Sequence, residues 1–343
     1  LRGWSWDNSP LKPYHDVKLP MYSICSKYCP TSRDVYLRHV LKKKGEMTYP
    51  VSLGSVTHAA INEAYRQVRR RNFNPAFEES YNAQKFETSM QGNLELIKQY
   101  ADMVWKHVLT NAESKFRDAM SSQPYSTEED MIATSAPFLI EHKISGELIG
   151  CSGILSMDCY DYLHNIMFDV KTGIKKEEVN SFKLYATGYA LVFESIYEVP
   201  VDIGCTVFLN FKDDRLLVER DLFQISDDLR SWWIEERDKK AEMVYEEKDP
   251  GMAECERRCM HDEAWEKTFH ESKHFIGLTE EQKQESGFII SIFAEYMYSH
   301  IGLTPKKWNE SGLVECCLDI LPGKVTADKS FFKIDCSCPF CIL

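Results

Sequence analysis

The stretch from Ile166 to Gly173, IMFDVKTG, sets Asp169 and Lys171 two residues apart in an otherwise apolar strand. Leaving either charge buried and unpaired there is expensive. Strand alternation puts both side chains on one face. Asp158 stands 11 residues earlier, near the end of the preceding strand in LSMDCYDYL, and a hairpin brings it opposite that face. Two carboxylates and an ammonium in one place suit hydrolysis of a phosphodiester. Carboxylates hold Mg²⁺ or Mn²⁺, hard cations that take oxygen ligands. Such a metal polarises the phosphoryl group and lowers the pKa of a bound water, and a lysine positions that water or neutralises developing charge. His58, inside the apolar helical stretch GSVTHAAINEAY, is placed to complete the metal shell. Taken singly, Asp-x-Lys is commonly a surface ion pair and a histidine on an apolar face a satisfied core residue. The ordered set carries the inference.

The elements that must position these groups follow from pattern. PTSRDVYLRHVLKKKG predicts a helix from Pro30 and Thr31 to Gly45, and SLGSVTHAAINEAYRQVRRR a second, with Val56, Ala60, Ala64 and Val68 at helical spacing. Residues 86 to 122 form a long polar helical region. Strands are expected in PFLIEHKI, IGCSGILSMDCYDYL and IMFDVKTG, with a turn at His164 and Asn165. SFKLYATGYALVFESIYE is then a helix ended by Val199 and Pro200, and DIGCTVFLNFKDDRLLVERDLF a hairpin turning at Lys212, Asp213 and Asp214. A charged helix from the Ser226-Asp227-Asp228 cap to Asp249-Pro250-Gly251 closes this part. This order suits an α/β fold with a mixed sheet flanked by helices. The character changes beyond residue 261, so the expected division is 1–261 and a small helical, cysteine-containing C-terminal extension over 262–343.

The chain has 343 residues, 27% of them charged, and a formal net charge of -12. That balance argues against the general basic coat of a non-specific DNA binder. It leaves room for local clusters such as YRQVRRRNF, with Arg69 and Arg70, and LRHVLKKKGE, with Lys42 and Lys43. No apolar run is long enough to span a membrane, and the opening LRGWSWDNSP lacks a signal-peptide pattern, so a cytoplasmic protein is expected. Twelve cysteines are many for such a chain, which makes metal or cluster ligation the leading alternative to disulfides. Cys151, Cys159 and Cys205 lie in apolar or strand-like stretches and read as ordinary buried thiols.

Gly54-x-x-x-His58 on a helix, then Asp158, then Asp169-x-Lys171 in FDVKTG, then a tyrosine-bearing helix, resembles the RecB-like branch of the PD-(D/E)XK nuclease superfamily. YCPTSRDVYL resembles the cysteine entry of the CRISPR-associated exonucleases of the "Cas four" type. RGWSWDNSPLKP, GYALVFESIYEVPVDIGC and EERDKKAEMVYEEKDPG are similar, more narrowly, to the archaeal type I-A "Csa one" branch. The resemblance covers about residues 2 to 260. It implies a metal-dependent DNA exonuclease that acts on single-stranded ends, trims prespacers in CRISPR adaptation and works with Cas integrase proteins. His58, Asp158 and Asp169, with the Val170 carbonyl, would hold Mn²⁺ or Mg²⁺. Lys171 would orient the water, and Tyr189 would face the site. Arg69, Arg70, Lys42 and Lys43 would track phosphates, with Tyr65 or Phe73 stacking on bases.

The resemblance also implies a [4Fe-4S] cluster with one cysteine before the first helix and three after the core. Cys29 matches the first, with Cys25 a weaker candidate, and Cys255 and Cys259 begin the second group. Two departures stand out. Trp265 occupies the place of the last cysteine, so the fourth ligand would come from Cys341 or its neighbours Cys336 and Cys338, or the site would hold Zn²⁺ or no metal. In the tyrosine-bearing helix, Tyr185 stands four residues before Tyr189, where the family offers a glutamine. These departures keep three rivals open: a cluster-bearing DNA-end-binding scaffold with an impaired site, a RecB-like repair nuclease outside CRISPR, and a zinc-stapled α/β protein with no hydrolytic role.

Overall fold

The computed structural model describes residues 1–27, 29–43, 48–83, 93–137, 139–173 and 180–251, all within the unit Leu1–Met252. The expected boundary at 261/262, the C-terminal extension, and Cys255, Cys259 and Cys341 lie outside the described residues. Helices α1 (Met21–Cys25), α2 (Arg33–His39), α3 (Tyr49–Arg69), α4 (Phe77–Ala83), α5 (Leu94–Ser122) and α6 (Glu128–Ser135) precede the sheet. Strands β1 (Leu139–Ile144), β2 (Leu155–Asp161) and β3 (Ile166–Thr172) follow, then helix α7 (Lys183–Tyr197), strands β4 (Ile203–Lys212) and β5 (Arg215–Gln224), and helix α8 (Asp227–Tyr245). Local chemistry accounts for several boundaries. Asn93 and Ser226 cap α5 and α8 through their side chains, and Thr127 with Asp130 forms a capping box on α6.

The five strands form one mixed sheet in the order β1-β2-β3-β4-β5. All neighbours are antiparallel except β3 and β4, which run parallel and are therefore joined by the crossover helix α7. The β4–β5 hairpin turns at Asp213 and Asp214, with φ of 50° and 54°, the left-handed pair a two-residue turn requires. The long strand expected over 149–163 is cut to β2, because Glu147–Ile149 forms a 3₁₀ turn and Gly150 takes a left-handed conformation at φ 76°. Likewise α8 ends at Tyr245, ahead of the Asp249-Pro250-Gly251 stop, where Glu247 turns left-handed at φ 53°.

Each face of the sheet carries its own core. One packs Met21, Ile24, Leu184, Leu191 and Trp233 from α1, α7 and α8 against Met157 and Met167. The other packs Ala64, Val68, Val104 and Trp105 from α3 and α5 against Leu209. Helix α8 also delivers three buried cations, Arg230, Arg237 and Lys240. Arg237 donates to the carbonyls of Leu11 (2.6 Å) and Pro10 (3.1 Å), and Lys240 to those of Ile24 (2.6 Å) and Ser26 (2.9 Å). Arg230 pairs with Glu194 of α7. The end of this unit is thus fastened onto its beginning by charge-assisted hydrogen bonds. Gly3 lies so close to α7 that a Cβ there would fall 2.1 Å from the Leu191 carbonyl oxygen, which only glycine avoids.

Candidate active site

The site is built where the regular sheet fails. In β2, Leu155, Met157 and Tyr160 all join the same apolar cluster, which plain alternation forbids between Met157 and Tyr160. β1 shows the same break, since Leu139 and Ile144 both contact that cluster. The β1–β2 ladder pairs Ile140 with Cys159 and His142 with Met157 but skips the step between, Glu141 opposite Asp158. Glu141 has φ 47°, a costly conformation for a non-glycine residue that here falls inside a strand and not at a turn. On the other side, β2 and β3 pair from Asp161↔Ile166 to Cys159↔Phe168 and no further. Beyond that point the Asp158 side chain takes over: its Oδ2 accepts the Val170 N–H at 2.7 Å.

Helix α3 lays His58 over this gap. Its Nδ1 lies 3.4 Å from Glu141 Oε1 and 3.5 Å from Asp158 Oδ1, and its Nε2 lies 3.2 Å from the Val170 carbonyl oxygen. Ser156 Oγ donates to Glu141 Oε2 at 2.6 Å and fixes that carboxylate. His58, Glu141 and Asp158 each offer a ligand atom within 4.8 Å of the others. Gly54 lies one turn before His58 on the same face. Among the described residues, nothing stands within 4 Å of where its Cβ would be.

Asp169 is 2% exposed, and its Oδ1 accepts from Lys171 Nζ at 2.9 Å. The two side chains share one face of β3, as alternation requires, and point toward α7. The other oxygen, Asp169 Oδ2, is buried without a hydrogen-bond partner among the described residues. An orphaned carboxylate oxygen is costly, and a cation beside it would remove that cost. Oxygen donors with one imidazole suit Mg²⁺ or Mn²⁺, so the residues present fit such an ion. Tyr189, partly buried on α7, is close enough to Asp158 and Asp169 that they add to the burial that pushes its phenol well above the ordinary range.

The charges are strongly coupled. Burial opposes protonation of His58, but the Asp158 and Glu141 carboxylates outweigh it and raise the imidazole to about 9. Glu141 shows the reverse balance: burial pushes it up, and its bonds to His58 and Ser156 pull it below the ordinary carboxylate value. Burial lifts Asp169 to about 6 against the pull of the Lys171 ammonium. Burial also opposes the charge on Lys171, yet Asp169 and Asp158 keep it raised. Without metal, the raised His58 contributes stability that is full below its unfolded value of 6.5 and lost as pH rises through about 9. A cation bound by His58 must therefore displace a proton. Titrating Mn²⁺ in buffers of different ionisation enthalpy is expected to show release of about one proton near pH 7, declining at higher pH. Release that persists unchanged in a His58→Gln variant would remove His58 from the ligand set.

The other expected positions are more dispersed. Arg69 and Arg70 lie 11 and 12 residues along α3 from His58, about 16–18 Å away at the helical rise. Arg69 donates to the Pro137 carbonyl at 2.5 Å, and Arg70 stands 3.8 Å from Glu63 with its side chain 68% exposed. Lys42 is exposed after α2. Lys43 is half-buried, and its N–H bonds to the Leu37 carbonyl at 2.9 Å. Tyr65 and Phe73 pack against the α3–α5 core instead of standing free as base platforms. Phe73 leans on Phe116 at 5.1 Å.

Cys151 and Cys205 are buried as expected, while Cys159 is partly exposed. Cys25 is buried in the sheet core, and burial drives its thiol well above the ordinary value. That environment disfavours the thiolate a metal needs. Cys29 is half-exposed beside Thr31, at 3.4 Å, and Thr31 in turn donates to the Gly251 carbonyl at 3.0 Å. Of the expected cluster ligands, Cys29 is the one that falls within the described residues.

Sequence pattern missed Glu141. It is the acid in the middle of LIEHKI, and the reasoning that singles out Asp169, a carboxylate where an apolar strand residue belongs, applies to it equally. No pattern shows the kink that turns it toward Asp158.

A five-stranded mixed sheet flanked by helices, with Asp158 and Asp169-x-Lys171 on its central hairpin beneath a helix-borne histidine, has the architecture of a nuclease core. The family model for "CRISPR-associated exonuclease Csa1" matches residues 1–266, and the chain belongs to that family. It is a family of CRISPR nucleases. Two relatives carry the same description. The one from Saccharolobus solfataricus is 30% identical over 271 residues, covering 76% of this chain and 89% of that protein. The one from Thermoproteus tenax is 23% identical over 260 residues, covering 76% and 88%. No solved structure gives a significant match to the chain. Among the described residues, no helix is long and apolar enough to cross a membrane.

Proposed function

We propose that this protein is a metal-dependent deoxyribonuclease that removes nucleotides from single-stranded DNA ends, trimming prespacers before Cas integrase proteins insert them. The observation that carries the reading is the convergence of His58, Glu141 and Asp158, with ligand atoms within 4.8 Å of one another, beside the buried Asp169–Lys171 pair. His58, Glu141, Asp158 and Asp169 would hold Mn²⁺ or Mg²⁺, with the Val170 carbonyl at the edge of the set. When bound, the ion supplies Lewis-acid polarisation of the phosphoryl group and a water of lowered pKa. The chain's own groups do the rest. Lys171 brings a fixed positive charge to the side of Asp169 where negative charge grows during attack. The Asp158–Val170 bond locks the hairpin so that the carboxylates cannot drift apart, a second-layer restraint of the kind metal sites depend on. Tyr189 offers a phenol that stays protonated and can donate to a phosphate oxygen.

Acting on DNA ends is what the shared family description, exonuclease, supports. The same reading includes a [4Fe-4S] cluster, or Zn²⁺ in its place, on Cys29, Cys255, Cys259 and Cys341.

The test combines iron, sulfide and zinc analysis of anaerobically purified protein with a Mn²⁺-dependent assay on end-labelled single-stranded and duplex DNA. The expected result is metal-dependent shortening of the single strand from an end. DNA affinity without cleavage at any metal concentration would instead make the protein an end-binding subunit. Internal cuts in duplex DNA would overturn the exonuclease reading.

A further inference from the structure

We infer that Tyr185 is a positioning residue for Lys171, holding its ammonium by a cation–π contact in the place where the family pattern has a glutamine. The inference rests on the nuclease reading above. Lys171 Nζ lies 3.7 Å from the centre of the Tyr185 ring and 5.7 Å from that of Phe182. Tyr185 is 9% exposed, and Phe182 packs at 6.1 Å from Tyr185 and edge-on to Phe208 at 6.3 Å. The two rings and the Asp169 carboxylate, at 2.9 Å, thus all lie within interaction range of the ammonium.

An amide in this helix position would hydrogen-bond to a phosphate, a water or a metal-bound group. A ring face cannot do that for an anion, because its negative quadrupole repels negative charge, but it attracts a cation. The substitution thus changes which partner the residue serves. Lys171 needs such help: its flexible four-carbon stem carries a compact charge that one carboxylate leaves free to rotate. With the ring beneath it, the ammonium is held in one orientation beside Asp169. In a desolvated site such contacts are at the strong end of the cation–π range.

Phenylalanine analogues with increasing ring fluorination, placed at position 185, weaken the quadrupole while leaving shape nearly unchanged. The expected result is a stepwise fall in the single-turnover cleavage rate, about tenfold from phenylalanine to the trifluoro ring. Tyr185→Phe is expected to keep most of the activity, and Tyr185→Leu to fall at least as far as the trifluoro ring at equal thermal stability. A second readout needs neither metal nor DNA. In protein labelled with ¹³C-lysine, the ε-methylene protons of Lys171, assigned through Lys171→Arg, should be shifted upfield by the ring and return toward ordinary values in Tyr185→Leu. A flat fluorination series together with an unshifted Lys171 signal overturns the inference while leaving the nuclease reading intact. A protein that shows the shifted signal but cleaves nothing overturns the nuclease reading instead.

Discussion

Replacing Lys171 with alanine is expected to lower metal-dependent cleavage by about a hundred- to a thousandfold, the range seen when one preorganised charge stabiliser is removed. Two effects add. The ammonium that meets developing negative charge is gone, and Asp169, already lifted to about 6 by burial with the lysine beside it, loses the cation that holds it down. Its carboxyl then rises further and becomes protonated at working pH, so it ceases to be a good metal ligand. Raising the pH should therefore restore part of the metal affinity of Lys171→Ala but not its rate. Asp158→Ala is expected to behave differently, because it removes a proposed metal ligand and also orphans the Val170 N–H that its Oδ2 accepts. Both cleavage and Mn²⁺ affinity are expected to collapse together. Single-turnover rates with saturating and limiting Mn²⁺, with melting curves as control, separate the two cases. A Lys171→Ala protein that cleaves within a few-fold of the original would sink the assignment of this lysine.

Glu194→Ala is expected to be among the most destabilising substitutions in the domain, at about 3–5 kcal/mol, the cost typical of breaking a buried ion pair from one side. Arg230 and Glu194 are 1% and 0% exposed and pair bidentately at 2.7 and 3.0 Å. The same carboxylate accepts the N–H groups of Gly3 (2.8 Å) and Val201 (3.0 Å) and the Arg2 guanidinium (3.0 Å). Alanine would leave the buried Arg230 guanidinium, among the described residues, with only the Val201 carbonyl at 2.8 Å, the Ile225 carbonyl at 3.4 Å and the half-exposed Asp202 at 3.6 Å, and would strip two buried backbone donors of their acceptor. Changing both partners, in Glu194→Leu with Arg230→Met, should recover most of the Arg230 share, since apolar replacement of a whole buried pair is often neutral. The Gly3 and Val201 donors would still lack an acceptor. Urea unfolding of the single and double variants gives the comparison, and a single variant that loses less than about 1 kcal/mol would show that water or a rearranged loop takes over the acceptor role.

Much of this architecture was readable in one dimension because it depends on local rules. The two-residue turn at Asp213 and Asp214, the serine cap on α8, the helical spacing of Val56, Ala60, Ala64 and Val68, and the shared face of Asp169 and Lys171 all follow from chirality, capping and alternation among neighbours in the chain. The order His58, Asp158, Asp169, Lys171, to which the proposal assigns catalysis, could be picked out for the same reason: residue types and their spacing are local facts. Other features arise only when distant segments meet. Glu141 and Asp158 leave their expected faces together at a skipped ladder step, and no alternation rule foresees a kink that two strands impose on each other. Arg69, Tyr65 and Phe73 look like nucleic-acid contacts in a basic, aromatic stretch, yet the Pro137 carbonyl and the α3–α5 core claim them. Cys25 is buried while Cys29, four positions on and past the end of α1, is partly exposed, a difference that the packing of α1 against the sheet and α8 settles. Burial and long-range pairing are properties of neighbours in space, and a side chain's charge, reach and partner follow from them.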